Sequence, residues 1–144
     1  MKRLWLYPLC LALLLSTSLV MSSDDSGKNS LAGIWTLVKG KWDEGQGIRV
    51  IQEDQYMQYK IYTSDTFIVV RVDKAYGEVV STHGGSYEFD GNKLTEKIEF
   101  ASQTAREVVD TTHVFNLELS EETYKQTGTE GPLTHLEEYW KKAK

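Results

Sequence analysis

The motif Gly33-Ile34-Trp35 heads the first strand-like segment of the chain, and nearly everything that follows is strand-like as well. A Gly-x-Trp at the head of an all-β chain predicts a small antiparallel barrel that closes on its own first strand. Closure removes the exposed sheet edges and creates an interior, and an interior can hold a ligand. The fold class read from the residues is therefore all-β, one antiparallel barrel of about eight to ten strands.

The segments before Gly33 read as an export signal and a spacer. Lys2 and Arg3 form a positive n-region, Leu4–Leu15 is almost wholly apolar, and small residues at Ser16, Ser18 and Ser22 offer cleavage points. This is the plan of a secretory signal over residues 1–22, too short for a comfortable membrane span. Cys10 does not end the apolar core as a lipidation cysteine would, since Leu11–Leu15 continue it, so a lipid anchor is set aside. Residues 23–30 are Ser-, Asp- and Gly-rich and read as a flexible leader. The barrel domain is assigned to 31–144. The expected location is periplasmic or extracellular.

Removing the signal changes the chemistry. Cys10 is the only cysteine, so the exported protein has no disulfide and must hold itself by core burial. Loss of the two positive charges at Lys2 and Arg3 takes the formal charge from −5 to −7. That disfavours nucleic acid and anionic membrane surfaces, both of which attract basic patches. The remaining chain of about 120 residues suits one domain, with no repeats.

The strand pattern runs as follows. Gly33–Trp42, Ile48–Ile51, Tyr56–Thr63 and Thr66–Val72 are strand-like, the last being dense in branched and aromatic residues. Ser86–Phe89 and Lys93–Phe100 flank Asp90-Gly91-Asn92, the clearest hairpin signal. Asp73–Gly84 reads as a loop that includes His83, with Gly84 and Gly85 relieving crowding or forming a bulge. Ala101–Glu107 is a connector able to hold a helical turn. Val108–Leu119 and Thr123–Thr127 form a further pair, and Gly128–Gly131 reads as a loop. In 133–142, Leu133, Leu136 and Trp140 fall at helical spacing, whereas an extended reading puts Leu136, Glu138 and Trp140 on one face.

Alternation assigns faces. Phe67, Val69 and Arg71 share one. Leu94, Glu96, Ile98 and Phe100 share another, and His113, Phe115, Leu117 and Leu119 a third. Arg71, Glu96 and His113 are thus single polar groups among inward-looking apolar residues. A buried charge is costly unless paired, so an Arg71–Glu96 pair is the plainest expectation, and a polar anchor for an otherwise apolar ligand is the functional one. Trp35, Trp42, Tyr59, Tyr62, Tyr87, Phe89, Phe115 and Trp140 supply either core or cavity lining.

Other chemistry finds no support. His83, His113 and His135 have no ligand spacing and no cysteine to help, so no metal is expected. His83-Gly84-Gly85 precedes no helix and makes no phosphate cradle. There is no Gly-x-Ser-x-Gly elbow, and Glu96 and Glu99 point to opposite faces. Nothing selects an enzyme, and no cofactor is implied. Lys141, Lys142 and Lys144 read as a solvated basic end.

Ala32-Gly33-Ile34-Trp35-Thr36-Leu37 resembles the opening strand of the lipocalins and the wider calycin barrels. Tyr59–Thr63, Phe67–Arg71, Gly84–Tyr87 with Leu94–Phe100, and Leu136–Trp140 resemble exported lipocalin-like domains of unknown function from Gram-negative bacteria. The resemblance implies a calycin barrel, an extended closing segment near Trp140, and binding of a small hydrophobic molecule. Lipocalins stack an arginine on the opening tryptophan; here Lys141 or Lys142 has to stand in. The family's central hairpin commonly carries a histidine where this chain has Lys97. The expected ligand-binding residues are Trp35, Phe67, Arg71, Tyr87, Glu96, His113, Phe115 and Trp140. Alternatives are a filled barrel acting as a surface interaction or inhibitor module and, last, an enzyme.

Overall fold

A computed structural model describes residues 31–144, apart from 44, 46, 53, 54, 131 and 132. The predicted signal and leader lie outside the described residues. Nine strands follow one another: β1 (Gly33–Asp43), β2 (Ile48–Gln52), β3 (Tyr56–Tyr62), β4 (Thr66–Asp73), β5 (Val79–Phe89), β6 (Lys93–Ala101), β7 (Thr112–Leu119), β8 (Thr123–Glu130) and β9 (Leu133–Lys142). Every neighbour is antiparallel, and β1 pairs with β9 from Trp35↔Lys142 to Asp43↔His135, which closes the sheet.

β2 and β3 lie along the same edge of β1. Asp43 to Lys39 pair with Ile48 to Gln52, and Thr36 to Gly33 pair with Tyr59 to Tyr62. They are two parts of one interrupted strand, so the barrel has eight staves. An eight-stranded barrel is just wide enough for side chains to fill it or for one small ligand.

The tail is a strand. Tyr124↔Trp140, Gln126↔Glu138 and Gly128↔Leu136 pair it with β8 while its other edge meets β1. Its helical spacing loses because two open sheet edges offer backbone partners for the whole segment. A 3₁₀ turn at Gln103–Val108 fills the connector between β6 and β7.

Two loop expectations and one strand boundary are corrected. β5 begins at Val79 rather than near Ser86, so His83 is a strand residue paired with Val69 and Ala101. Gly128 lies inside β8 opposite Phe115, while Gly131 falls outside the described residues. Val108 belongs to the 3₁₀ turn, and β7 starts only at Thr112. Gly84 and Gly85 do carry a bulge. A Cβ at Gly84 would meet the Phe67 carbonyl, and one at Gly85 the Lys97 carbonyl, so the sheet's curvature there depends on glycine.

Trp35, Leu37, Tyr62, Phe67, Val69, Leu94, Ile98, Phe115, Leu117, Tyr124, Leu136 and Trp140 form the core, with Leu31 beneath them. The two ends of the barrel differ. At the Trp35 end the turns are tight: Thr63, Asp90 and Ser120 each donate a backbone N–H three residues on, to Thr66, Lys93 and Thr123. At the Trp42 end lie the β4–β5 loop and the 3₁₀ turn. We call these ends the floor and the mouth.

Candidate functional site

The floor is sealed by aromatic packing. Trp35 donates its indole N–H to the Leu31 carbonyl at 2.8 Å and meets Tyr124 edge-on at 4.9 Å. Tyr124 stacks on Trp140 at 5.8 Å. Tyr62 stacks on Phe67 and meets Tyr87 edge-on. Lys142 holds its ammonium 5.4 Å from the centre of the Trp35 ring, in the place expected for a lipocalin arginine, rather than in solvent.

Above the floor lies a polar layer that closure alone assembles. Lys60 on β3 is 4% exposed. Its ammonium sits 3.0 and 3.2 Å from the two Glu96 oxygens and 3.2 Å from Gln126 Oε1. The Tyr62 hydroxyl donates to Glu96 Oε1 at 2.5 Å. Gln126 Nε2 and Trp140 Nε1 donate to Glu138 Oε2 at 2.8 and 3.0 Å, and Trp42 Nε1 donates to Glu138 Oε1 at 3.1 Å. The rings of Phe115 and Trp140 lie 5.2 and 5.4 Å from the Lys60 ammonium. Charges withdrawn from water persist only when paired and hydrogen-bonded, and this network supplies both conditions. Burial, reinforced by the Glu96 charge, pushes the Tyr62 and Tyr124 phenols well above their ordinary range. Both stay protonated, so Tyr62 remains a donor to Glu96.

At the mouth, Arg71 is half-buried. Its Nε and Nη2 donate to Gln58 Oε1 at 3.1 and 2.9 Å, and its guanidinium lies 5.5 Å from the Trp42 ring and 5.9 Å from the Tyr56 ring. His83 faces inward one step away, beside Val69. Burial, then the Lys60 charge, lowers its pKa to about 4, so the imidazole is neutral at physiological pH. Among the described residues no side chain hydrogen-bonds that imidazole. A neutral donor–acceptor next to a guanidinium suits the polar end of a ligand.

The expected site residues all lie on the inner face, but they do not form one site. Trp35, Phe67, Glu96, His113, Phe115 and Trp140 are at most 4% exposed and belong to the packed interior. Arg71 and Tyr87 keep accessible surface, and the Tyr87 hydroxyl leaves the barrel to donate to the Thr63 carbonyl. His113 places Nε2 3.0 Å from Thr111 Oγ1 and its ring edge-on to Phe115. The expected Arg71–Glu96 pair is not formed. Lys60 takes Glu96 because β3 brings its ammonium to the barrel axis, while Arg71 lies nearer the mouth and turns to Gln58.

The sequence reading missed Lys60, Gln126, Glu138 and His83. Glu138 was legible, since the extended reading already put it between Leu136 and Trp140. Lys60 was hidden because β3 is apolar on its other face, at Met57, Tyr59 and Ile61, and that face points outward. Among the described residues, no three His, Asp or Glu side chains converge as metal ligands.

Comparison with known proteins adds the following. Residues 30–144 match the family described as Domain of unknown function (DUF4488). The crystal structure of an uncharacterized protein from Bacteroides eggerthii is similar at a TM-score of 0.56 and 11% identity, covering 79% of this chain and 100% of that one. A lipocalin-like protein from Bacteroides uniformis is similar at a TM-score of 0.55 and 16% identity, covering 78% and 98%. At these identities the likeness concerns the fold, which is a lipocalin-like barrel. Among curated proteins, none matches this chain.

Proposed function

The chain belongs to the DUF4488 family, and we propose that this barrel is an exported binding protein for a small, largely apolar molecule with a polar or anionic end. One observation carries the reading. The floor is packed shut, whereas the mouth presents a half-buried Arg71 between two aromatic rings, beside an imidazole with no hydrogen-bond partner among the described residues. A few convergent polar groups set among aromatics is the usual composition of a small-molecule site. The ligand's polar end lies against Arg71 and His83, and its apolar part against Trp42 and Tyr56. Export rests on Lys2, Arg3 and the apolar run Leu4–Leu15.

The test is native mass spectrometry of protein purified without detergent from the host that exports it. The reading predicts a bound mass that disappears on denaturation and is lost in Arg71→Ala. A bare mass in the wild type, with no response of Trp42 fluorescence to medium-chain fatty acids or aromatic carboxylates, would contradict it. The sealed floor favours a second reading, a filled barrel acting through its surface. That reading predicts the bare mass.

A further inference from the structure

Two polar groups at the mouth face inward without a charged partner. Arg71 gives Nε and Nη2 to the neutral Gln58 amide, and among the described residues no carboxylate pairs with its guanidinium and nothing accepts from Nη1. The carboxylate next along its face, Asp73, is engaged in the β4–β5 turn, where Oδ1 accepts the backbone N–H groups of Ala75 and Tyr76 at 2.8 and 3.1 Å. The deeper carboxylates are satisfied as well, Glu96 by Lys60 and Tyr62, Glu138 by Trp42, Gln126 and Trp140. The second group is His83, half-buried and with neither ring nitrogen hydrogen-bonded among the described residues. The pairs Val69↔His83 and Arg71↔Ser81 make Arg71 and His83 diagonal neighbours on the β4–β5 ladder. Such neighbours lie roughly 7–8 Å apart, within reach of long side chains. One carboxylate can turn an oxygen to each head.

The charge of this pair depends on what lies between its heads. Arg71 is a cation throughout. For His83, burial first and the Lys60 ammonium of β3 next hold the imidazole neutral; Glu96 of β6 opposes them, and His113 of β7 and Arg71 of β4 add to them. The segment after β6 meets β5 through Ser102 and Thr104, which do not titrate, and on the opposite wall Glu138 of β9 is held by its three donors. An anion within about 4–6 Å favours the protonated form of such a base by about ten- to a thousandfold. Once protonated, the ring donates from both nitrogens, and both heads make charge-assisted hydrogen bonds. Resting on the binding function given above, we propose that the mouth takes its ligand as an anion, a single carboxylate-like group on an apolar body, and that a proton from solvent joins His83 as the ligand binds. Affinity for such an anion therefore rises as pH falls below neutrality. An uncharged ligand with the same apolar body gains nothing.

Octanesulfonate and octanol test this, because the sulfonate stays anionic over the whole range and the alcohol carries the same chain without charge. Titration calorimetry should show the full-length protein binding octanesulfonate about two- to fiftyfold more tightly at about pH 5 than at about pH 7, and octanol equally at both. Nuclear magnetic resonance of the histidine rings should show the His83 midpoint rising when octanesulfonate is added, while the exposed His135 stays where it was. His83→Gln should bind octanesulfonate with the same affinity at both pH values; if that variant folds poorly, the wild-type ring titration decides. Octanesulfonate bound equally at both pH values, with the His83 midpoint unmoved, overturns the inference and leaves the binding function standing. Octanol bound as tightly as the sulfonate at the lower pH also overturns it. Failure of both probes to bind at either pH overturns the inference and the binding function together.

Discussion

The floor and the mouth of this barrel are built from the same kinds of residue and reach opposite ends. Each has a tryptophan from β1 with a cationic side chain close to its ring: Trp35 with Lys142 at 5.4 Å, Trp42 with Arg71 at 5.5 Å. At the floor, tight turns and a stack of Trp35, Tyr124 and Trp140 bury the rings to about 1% exposure. At the mouth the turns are longer and Trp42 and Arg71 remain half open. The same pairing of ring and cation thus serves packing where it is enclosed and stays accessible where it is not. Between them, the Lys60–Glu96 layer ties β3 to β6, β8 and β9 and sets the depth to which anything entering the mouth can descend.

Substitutions separate the two ends. Trp35→Ala should cost about 3–5 kcal/mol, the range for removing a buried aromatic, read as a fall in chemical-denaturation midpoint. Trp42→Ala should cost clearly less and show chiefly as lost binding. An equal loss at both positions would erase the distinction. In the layer between, Lys60→Met should also cost about 3–5 kcal/mol, because Glu96 is left charged and buried. Adding Glu96→Gln should recover much of that loss, which a double-mutant cycle measures directly.

The His83 imidazole gives a pH dependence with a definite sign. Its pKa falls from 6.5 in the unfolded chain to about 4 in the folded one. The unfolded state therefore binds more protons between these values. Stability is full above about pH 6.5 and is lost as pH falls towards 4, by about 1–3 kcal/mol. His83→Gln should flatten that part of the profile in thermal melts, and an unchanged slope would remove His83 as its source. The smallest effect belongs to Arg71→Ala, whose half-buried hydrogen bonds and ring contacts are worth about 1 kcal/mol. A large loss of stability there would mean that the mouth is packed as tightly as the floor.

The fold was largely legible because alternation and turn chemistry are local. Asp90-Gly91 fixed a hairpin, and Gly84-Gly85 marked a bulge. The extended tail was legible only through resemblance, since the spacing of Leu133, Leu136 and Trp140 suits a helix and only the two open edges of β8 and β1 settle it. The site was less legible. Arg71, Glu96 and His113 were correctly placed on inner faces, yet pairing depends on depth along the barrel axis, and strand tilt sets that depth. Glu96 therefore meets Lys60, which lies 36 positions away in the chain. Lys60 itself went unseen because the more apolar face of β3 is the outer one.

The central claim is that the mouth, and not the floor, receives a small molecule. A crystal structure of the protein purified from its exporting host tests it most directly. The account predicts density for a molecule whose polar end lies within hydrogen-bonding distance of Arg71 and His83, with the Trp35 stack undisturbed. Water alone, or protein side chains alone, within hydrogen-bonding distance of Arg71 and His83 would contradict it.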